Sequence, residues 1–155
     1  MSELEIRPSG YLTPVSRALV AATLADLSAR YGGSGDDTPV DPTQFDPPAG
    51  VFLVAWLDGQ PVGCGGWRTY ADTDDVGEIK RMYVAPEVRG RGVALALLRA
   101  LEDHARSAGR KRLILETGDR QPEAIGLYHK AGYALIENFG HYRDEPGVTS
   151  FGRDL

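Results

Sequence analysis

From Met82 to Ala94 the chain reads Met82-Tyr83-Val84-Ala85-Pro86-Glu87-Val88-Arg89-Gly90-Arg91-Gly92-Val93-Ala94, an apolar strand that passes through a glycine- and arginine-rich turn into a long amphipathic helix. A strand feeding a helix this tightly commits the chain to packing helices on a sheet. The turn itself reads as a pyrophosphate cradle. Its glycines let the backbone approach an anion closely, the first free N–H groups of the helix point outward, and the helix dipole adds partial positive charge. Arg89 and Arg91 add full charges. The subtype excludes two common nucleotide sites: a P-loop needs Gly-Lys-Ser/Thr at its end, and a dinucleotide fingerprint needs three glycines with an acid about 20 residues on. Neither is present.

The rest of the chain decides between this reading and an ordinary strand-to-helix turn. Leu4 to Arg7 is a short strand candidate. Thr13-Pro14 can cap and open a helix in which Val20, Leu24, Leu27 and Tyr31 recur at helical spacing until Gly32-Gly33 stops it. Ser34 to Gly50 is rich in Asp, Pro and Gly and reads as a loop long enough to suggest function. Two strands, Val51–Trp56 and Val62–Arg68, form a hairpin about Asp58-Gly59-Gln60-Pro61, and Val76 to Val84 is the strand that enters the glycine turn. In the helix beyond it, Ala94, Leu97, Leu98, Leu101, Ala105 and Ala108 share one face, and Gly109 ends it. Arg112 to Glu116 is the next strand. Pro122 opens a helix closed by Gly132, and Tyr133–Ile136 and Val148–Phe151 close the series as strands. The order is β-α-β-β-β-α-β-α-β-β, a mixed α/β architecture with helices flanking a mixed sheet.

A chain of 155 residues with 42% hydrophobic content supports one well-filled core, so residues 1–155 are expected to form a single domain. No run approaches a membrane span and the N-terminus lacks a signal-peptide layout, which leads to the expectation of a soluble, cytoplasmic protein without membrane contact. Cys64 is alone and three histidines give no metal-ligand spacing, so neither a disulfide framework nor a metal is expected. A net charge of −5 argues against nucleic acid as a partner despite the local Arg-Gly-Arg-Gly. Lys80, Arg81, Arg89 and Arg91 cluster near the turn, whereas Asp36, Asp37, Asp41 and Asp46 fall in the long loop, a split that would suit an anionic cofactor at one place and a cationic substrate at another, with a solvated acidic loop as the simpler account of the aspartates.

Arg89-x-x-Gly92-x-Ala94, following the strand end Tyr83-Val84, resembles the acyl-coenzyme A signature of the GNAT N-acetyltransferases, Gln/Arg-x-x-Gly-x-Gly/Ala. The run from Gln121 to Tyr133 resembles the family's second signature, Asn-x-x-Ala-x-x-Leu-Tyr-x-Lys-x-Gly-Phe, with Gln121 for Asn and Tyr133 for Phe. The element order is that of the same fold, and the tail, Asn138-Phe139-Gly140-His141-Tyr142, is similar to a subgroup of small bacterial members. The resemblance spans nearly the whole chain. It implies a largely antiparallel central sheet splayed at the cofactor site, and acetyl-CoA as co-substrate. The backbone of Met82, Tyr83 and Val84 would run along the pantetheine arm, and Arg89, Gly90, Arg91, Gly92, Val93 and Ala94 would take the pyrophosphate. Gln121, in place of Asn, would reach the arm.

Acetyl transfer to an amine needs a neutral nucleophile, a stabilised oxyanion and a protonated leaving thiolate. Freeing a lysine-like amine of its proton at neutral pH costs about 4–5 kcal/mol. The resemblance makes Glu78 the first candidate base, because histone-type members carry a catalytic Glu on this strand. Glu116, at the adjacent strand's end, is the second. For both, pairing with Lys80 or Arg81 is the competing structural role. Tyr128 matches the position at which the family places a phenol near the sulfur, where it can donate a proton; a core aromatic is the alternative. His104 and His129 read as exposed, Cys64 as a small buried hydrophobe, and Trp67, Tyr70 and the run Asn138-Phe139-Gly140-His141-Tyr142 as either core or acceptor pocket. A primary amine on a small molecule, amino acid or peptide is the expected acceptor, with monomer and homodimer both open. A non-catalytic acyl-CoA-binding module of the same fold is the alternative to an enzyme.

Overall fold

The computed structural model describes residues 3–155, and its elements follow the predicted order: β1 (Leu4–Pro8), α1 (Pro14–Tyr31), β2 (Gly50–Leu57), β3 (Gln60–Thr69), β4 (Val76–Val84), α2 (Val93–Ser107), β5 (Arg112–Gly118), α3 (Pro122–Lys130), β6 (Ala134–Ile136) and β7 (Val148–Asp154). They build one seven-stranded sheet ordered β1-β2-β3-β4-β5-β7-β6. All neighbours are antiparallel except β4 and β5, which α2 joins as a parallel crossover. No helix is long and apolar enough to cross a membrane among the described residues.

Alternation of side chains across the sheet divides the apolar residues into two layers. On one side Trp67, Leu113, Leu115 and Phe151 pack with Leu97, Leu98 and Leu101 of α2. These three leucines are fully buried, each contributing about 1.5–3 kcal/mol. On the other side Phe52, Val54 and Cys64 pack with Leu19 of α1 and with Phe45. Phe45 lies on a 3₁₀ turn, Pro42–Phe45, within the segment expected to be loop throughout. Asp41 explains it: its carboxylate accepts from the Thr43 N–H while the Gln44 side chain accepts from the Asp41 N–H, a capping box too short for helical periodicity to reveal.

The structure refines the sequence expectations at four points. The helix predicted from Val20, Leu24, Leu27 and Tyr31 forms, but its buried residues are Ser16, Leu19 and Thr23, with Val20 partly buried against the same cluster. Leu27 and Tyr31 instead face a cavity. His104 is half-buried rather than exposed, because its Nδ1 accepts from the Trp67 indole N–H at 3.1 Å; burial lowers its pKa. That same bond, with Arg110 over the ring, fixes Trp67 in the core and removes it from the pocket-lining candidates. Strand β7 also runs past Phe151 to Asp154.

Glu102 sits on the buried face of α2 at 2% exposure. It is tolerated there because it is saturated with donors: Arg99 reaches both oxygens at 2.8 and 3.1 Å, Arg153 donates at 2.8 Å, and the Tyr133 hydroxyl donates at 2.7 Å. This network ties α2 to β7 and to the segment after α3. Tyr133 in turn packs edge-on against Tyr128, 5.6 Å between ring centres.

Candidate active site

β4 and β5 pair only at Val76–Glu78 with Arg112–Ile114 and then part. Beyond that point the backbone of β4 has no ladder partner on β5, and the gap opens into a cavity of about 860 Å³. One wall is Ile79–Val84 and the other Leu115–Asp119; α1 and α3 close the sides.

A bulge shapes the β4 wall. Cys64 pairs with Tyr83 and Gly66 with Lys80, so Arg81 and Met82 together oppose the single residue Gly65. Arg81 takes the left-handed conformation, φ 61°. In a regular strand Lys80 and Arg81 would point to opposite faces. With the bulge both line the cavity and both reach the Asp36 carboxylate, Lys80 Nζ at 3.7 Å and Arg81 Nη1 in close contact.

At one end of the cavity lies the start of α2. Gly90 and Gly92 adopt φ of 82° and 83°, a region that costs other residues about 1–2 kcal/mol. A Cβ at either glycine would meet nothing within 4 Å, so the space above the turn is open. The helix has no side-chain cap and no acidic residue in its first turn. Its leading N–H groups and positive dipole end are thus left for an anion. Arg89 adds charge, braced by its Nε donating to the Val84 carbonyl at 3.0 Å and by Asp26 at 3.6 Å.

Tyr128 and Glu116 also belong to the lining. Tyr128, on α3, is 5% exposed and lines the cavity, and burial raises its pKa, so the phenol keeps its proton. Glu116, from β5, also lines the cavity, yet neither carboxylate oxygen has a hydrogen-bond partner. The Tyr142 N–H approaches without reaching hydrogen-bond geometry. Burial pushes the pKa of Glu116 up, partly offset by Lys80.

Most of the predicted site residues converge here: Met82, Tyr83, Val84, Arg89, Gly90, Gly92, Val93, Ala94, Gln121, Glu116 and Tyr128 all line the cavity. Arg91 does not; it is exposed on the outer side of the turn. Gln121 does, with its side-chain amide donating to the Tyr31 hydroxyl at 3.3 Å. Glu78 lies outside the lining. Its carboxylate takes the Arg68 Nε at 3.1 Å, with both side chains buried, and Arg68 is anchored onward to the Pro39 carbonyl and to Gln44.

Asp36 departs from its expected role as a solvated loop acid. Burial alone would raise its pKa, but Lys80, Thr38 and Arg81 hold it well below the usual carboxylate range. Asp37, Asp41 and Asp46 do stay exposed. Tyr142 closes the same corner by donating its hydroxyl to Asp36 at 2.8 Å. No spacing rule would have linked Asp36 to Tyr142, 106 residues away. Cys64 is fully buried with its thiol pushed up to about 12, an inert packing residue. Among the described residues no group of three or more potential metal ligands occurs.

The family model described as "Acetyltransferase (GNAT) family" matches residues 21–133. The chain is 46% identical over 96 residues to the IAA acetyltransferase of Azospirillum brasilense, a match covering 61% of each chain. It is 32% identical over 135 residues to the uncharacterized N-acetyltransferase YjgM of Escherichia coli, covering 81% of each. A crystal structure from Klebsiella pneumoniae, assigned to the acyl-CoA N-acyltransferases, superposes with a TM-score of 0.80 at 29% identity over 98% of this chain and 97% of that one.

Proposed function

Because the chain belongs to the GNAT acetyltransferase family and is an acyltransferase, we propose that it moves the acetyl group of acetyl-CoA to a primary amine by direct attack within a ternary complex. The observation that carries this reading is the parting of β4 and β5 over a cavity whose lining includes an uncapped helix start, a carboxylate without hydrogen-bond partners and a buried phenol. The residues present fit the co-substrate. N–H groups from Arg89 to Ala94 would hold its pyrophosphate in the open space over Gly90 and Gly92, and the unpaired backbone of Met82–Val84 would run along its arm. Bound there, acetyl-CoA supplies the thioester and leaves as the free thiol.

The chain's own groups supply the rest. A β4 backbone N–H aimed at the developing oxyanion is worth up to a few kcal/mol. Tyr128 is protonated at neutral pH and gives its proton to the departing sulfur. For the base, the geometry favours Glu116 over Glu78, reversing the order drawn from sequence. Glu78 is engaged by Arg68, whereas Glu116 belongs to the cavity lining, has two buried oxygens without a hydrogen-bond partner, and has its pKa raised by burial.

The co-substrate assignment has a direct test. At about 100 times its dissociation constant acetyl-CoA adds roughly 2.7 kcal/mol of stability, a rise in melting temperature of roughly 5–10 °C for a domain of this size. No rise at millimolar acetyl-CoA would sink it.

Glu116→Gln tests the base. Its rate deficit is largest near neutral pH and shrinks as pH climbs towards the amine's own pKa, where the acceptor arrives neutral. A deficit constant with pH would return the role to Glu78 or a water. Stability moves the other way. The raised pKa means that ionised Glu116 costs folding free energy at pH above its unfolded value of 4.5, so the ligand-free variant melts higher than the parent at pH 7 and not at pH 3.

A further inference from the structure

The corner where β4 and β5 part holds four charges whose pairing is uneven. Lys80 and Arg81 both converge on Asp36, which also accepts from the Thr38 N–H at 2.9 Å, the Thr38 hydroxyl at 2.6 Å and the Tyr142 hydroxyl. Asp36 is saturated. Glu116, near enough for Lys80 to lower its pKa, has no partner at either oxygen. On the cationic side the Arg81 side chain is 5% exposed, and its Nε is buried without an acceptor. The corner therefore has two opposite deficits, a carboxylate lacking donors and a guanidinium lacking an acceptor.

A plain amine would meet only one of these. It would neutralise Glu116 and leave two cations sharing one carboxylate, a surplus positive charge in a largely dry corner. A molecule with an ammonium and a carboxylate would meet both, and it matches the formal neutrality of the four groups taken together. Arg81 has five N–H donors, and Lys80 three, of which one is hydrogen-bonded to Thr38 while Asp36 stands at 3.7 Å as an ion pair. Both can keep Asp36 and still bind a second anion. Gly140 packs on Glu116 so closely that a Cβ there would come within 2.4 Å of its carboxyl carbon, so the backbone covers one side of the carboxylate.

We propose, building on the acetyl-transfer reading above, that the acceptor is a free amino acid, its ammonium seated on Glu116 and its carboxylate on the Lys80–Arg81 side of the corner. The reaction then joins the acetyl carbon to the amino nitrogen as the thioester C–S bond breaks. The nitrogen sheds two protons on the way from ammonium to amide: the first goes to Glu116 and on to solvent, freeing the amine, and the second replaces the proton that Tyr128 gives to the departing thiolate.

The test measures thiol release at saturating acetyl-CoA with the twenty standard L-amino acids, each beside its α-carboxamide and its decarboxylated amine. The expected result is at least one amino acid whose kcat/KM exceeds both counterparts by about 100-fold or more, because a site built for a buried charge rejects the analogue lacking it. Lys80→Met should then narrow that ratio at least about tenfold. Equal or faster turnover of the amides or the decarboxylated amines overturns the proposal while acetyl transfer stands, and points to peptide termini or simple amines. No amino acid turned over by protein that acetyl-CoA stabilises overturns it as well. Failure of acetyl-CoA to raise the melting temperature would instead sink the acetyl-transfer reading on which it rests.

Discussion

Tyr128→Phe lowers kcat by about 100-fold or more while acetyl-CoA affinity changes less than about twofold. The ring is held by contacts that do not involve its hydroxyl: Tyr133 lies edge-on at 5.6 Å and Phe151 is tilted at 5.8 Å. Tyr133 is itself fixed by its bond to Glu102. Removing one oxygen leaves this packing in place, so the fold and the cofactor channel survive. What is lost is a donor needed only as the thiolate departs, an interaction of the transition state rather than of binding. The pH profile separates this from a packing role. Burial raises the pKa of Tyr128 above that of a free phenol, so the parent's donor stays protonated through neutral pH and into the alkaline range. The deficit of the variant should therefore be flat from pH 6 to 9. Steady-state rates with matched isothermal titrations decide it, and unchanged kcat would reassign Tyr128 to the core.

The element order and both signature segments were readable because they rest on local rules: glycines at positive φ, proline at helix starts, and apolar periodicity. Gly92, Pro122 and Leu97 each announce their role within a few residues. Two kinds of feature were not. The bulge at Arg81 is a register shift between β3 and β4, and nothing in Lys80-Arg81-Met82 signals that two consecutive cations will face one cavity. Arg68 claims Glu78 across neighbouring strands, and Tyr142 meets Asp36 between two loops, so both outcomes depend on tertiary register rather than spacing. Glu102 shows the same limit on a helix. Its position on the apolar face looks like a flaw in the pattern until Arg99, one turn back on the same helix, is joined by Arg153 and Tyr133 from elsewhere in the chain.

Gly92→Val abolishes measurable acetyl-CoA binding, a loss of at least about 100-fold, or roughly 2.7 kcal/mol, in a protein that still folds. Two effects act together. At φ 83° a β-branched residue is strained, so either the turn relaxes and the leading N–H groups of α2 lose their common direction, or the strain is retained at a cost of about 1–2 kcal/mol. In addition, the space a side chain would enter is open in this structure, and it is where the proposed binding mode puts the pyrophosphate. That openness means the substitution meets no steric conflict with the protein itself, so its damage falls on the ligand more than on the fold. Gly109, at φ 84° with equally open surroundings but beyond the far end of α2, provides the control. Gly109→Val carries the same backbone strain, lowers the melting temperature comparably, and leaves acetyl-CoA affinity unchanged. Should the two variants bind acetyl-CoA equally well, the turn before α2 is only a bend in the chain, and the pyrophosphate must be held elsewhere along the cavity.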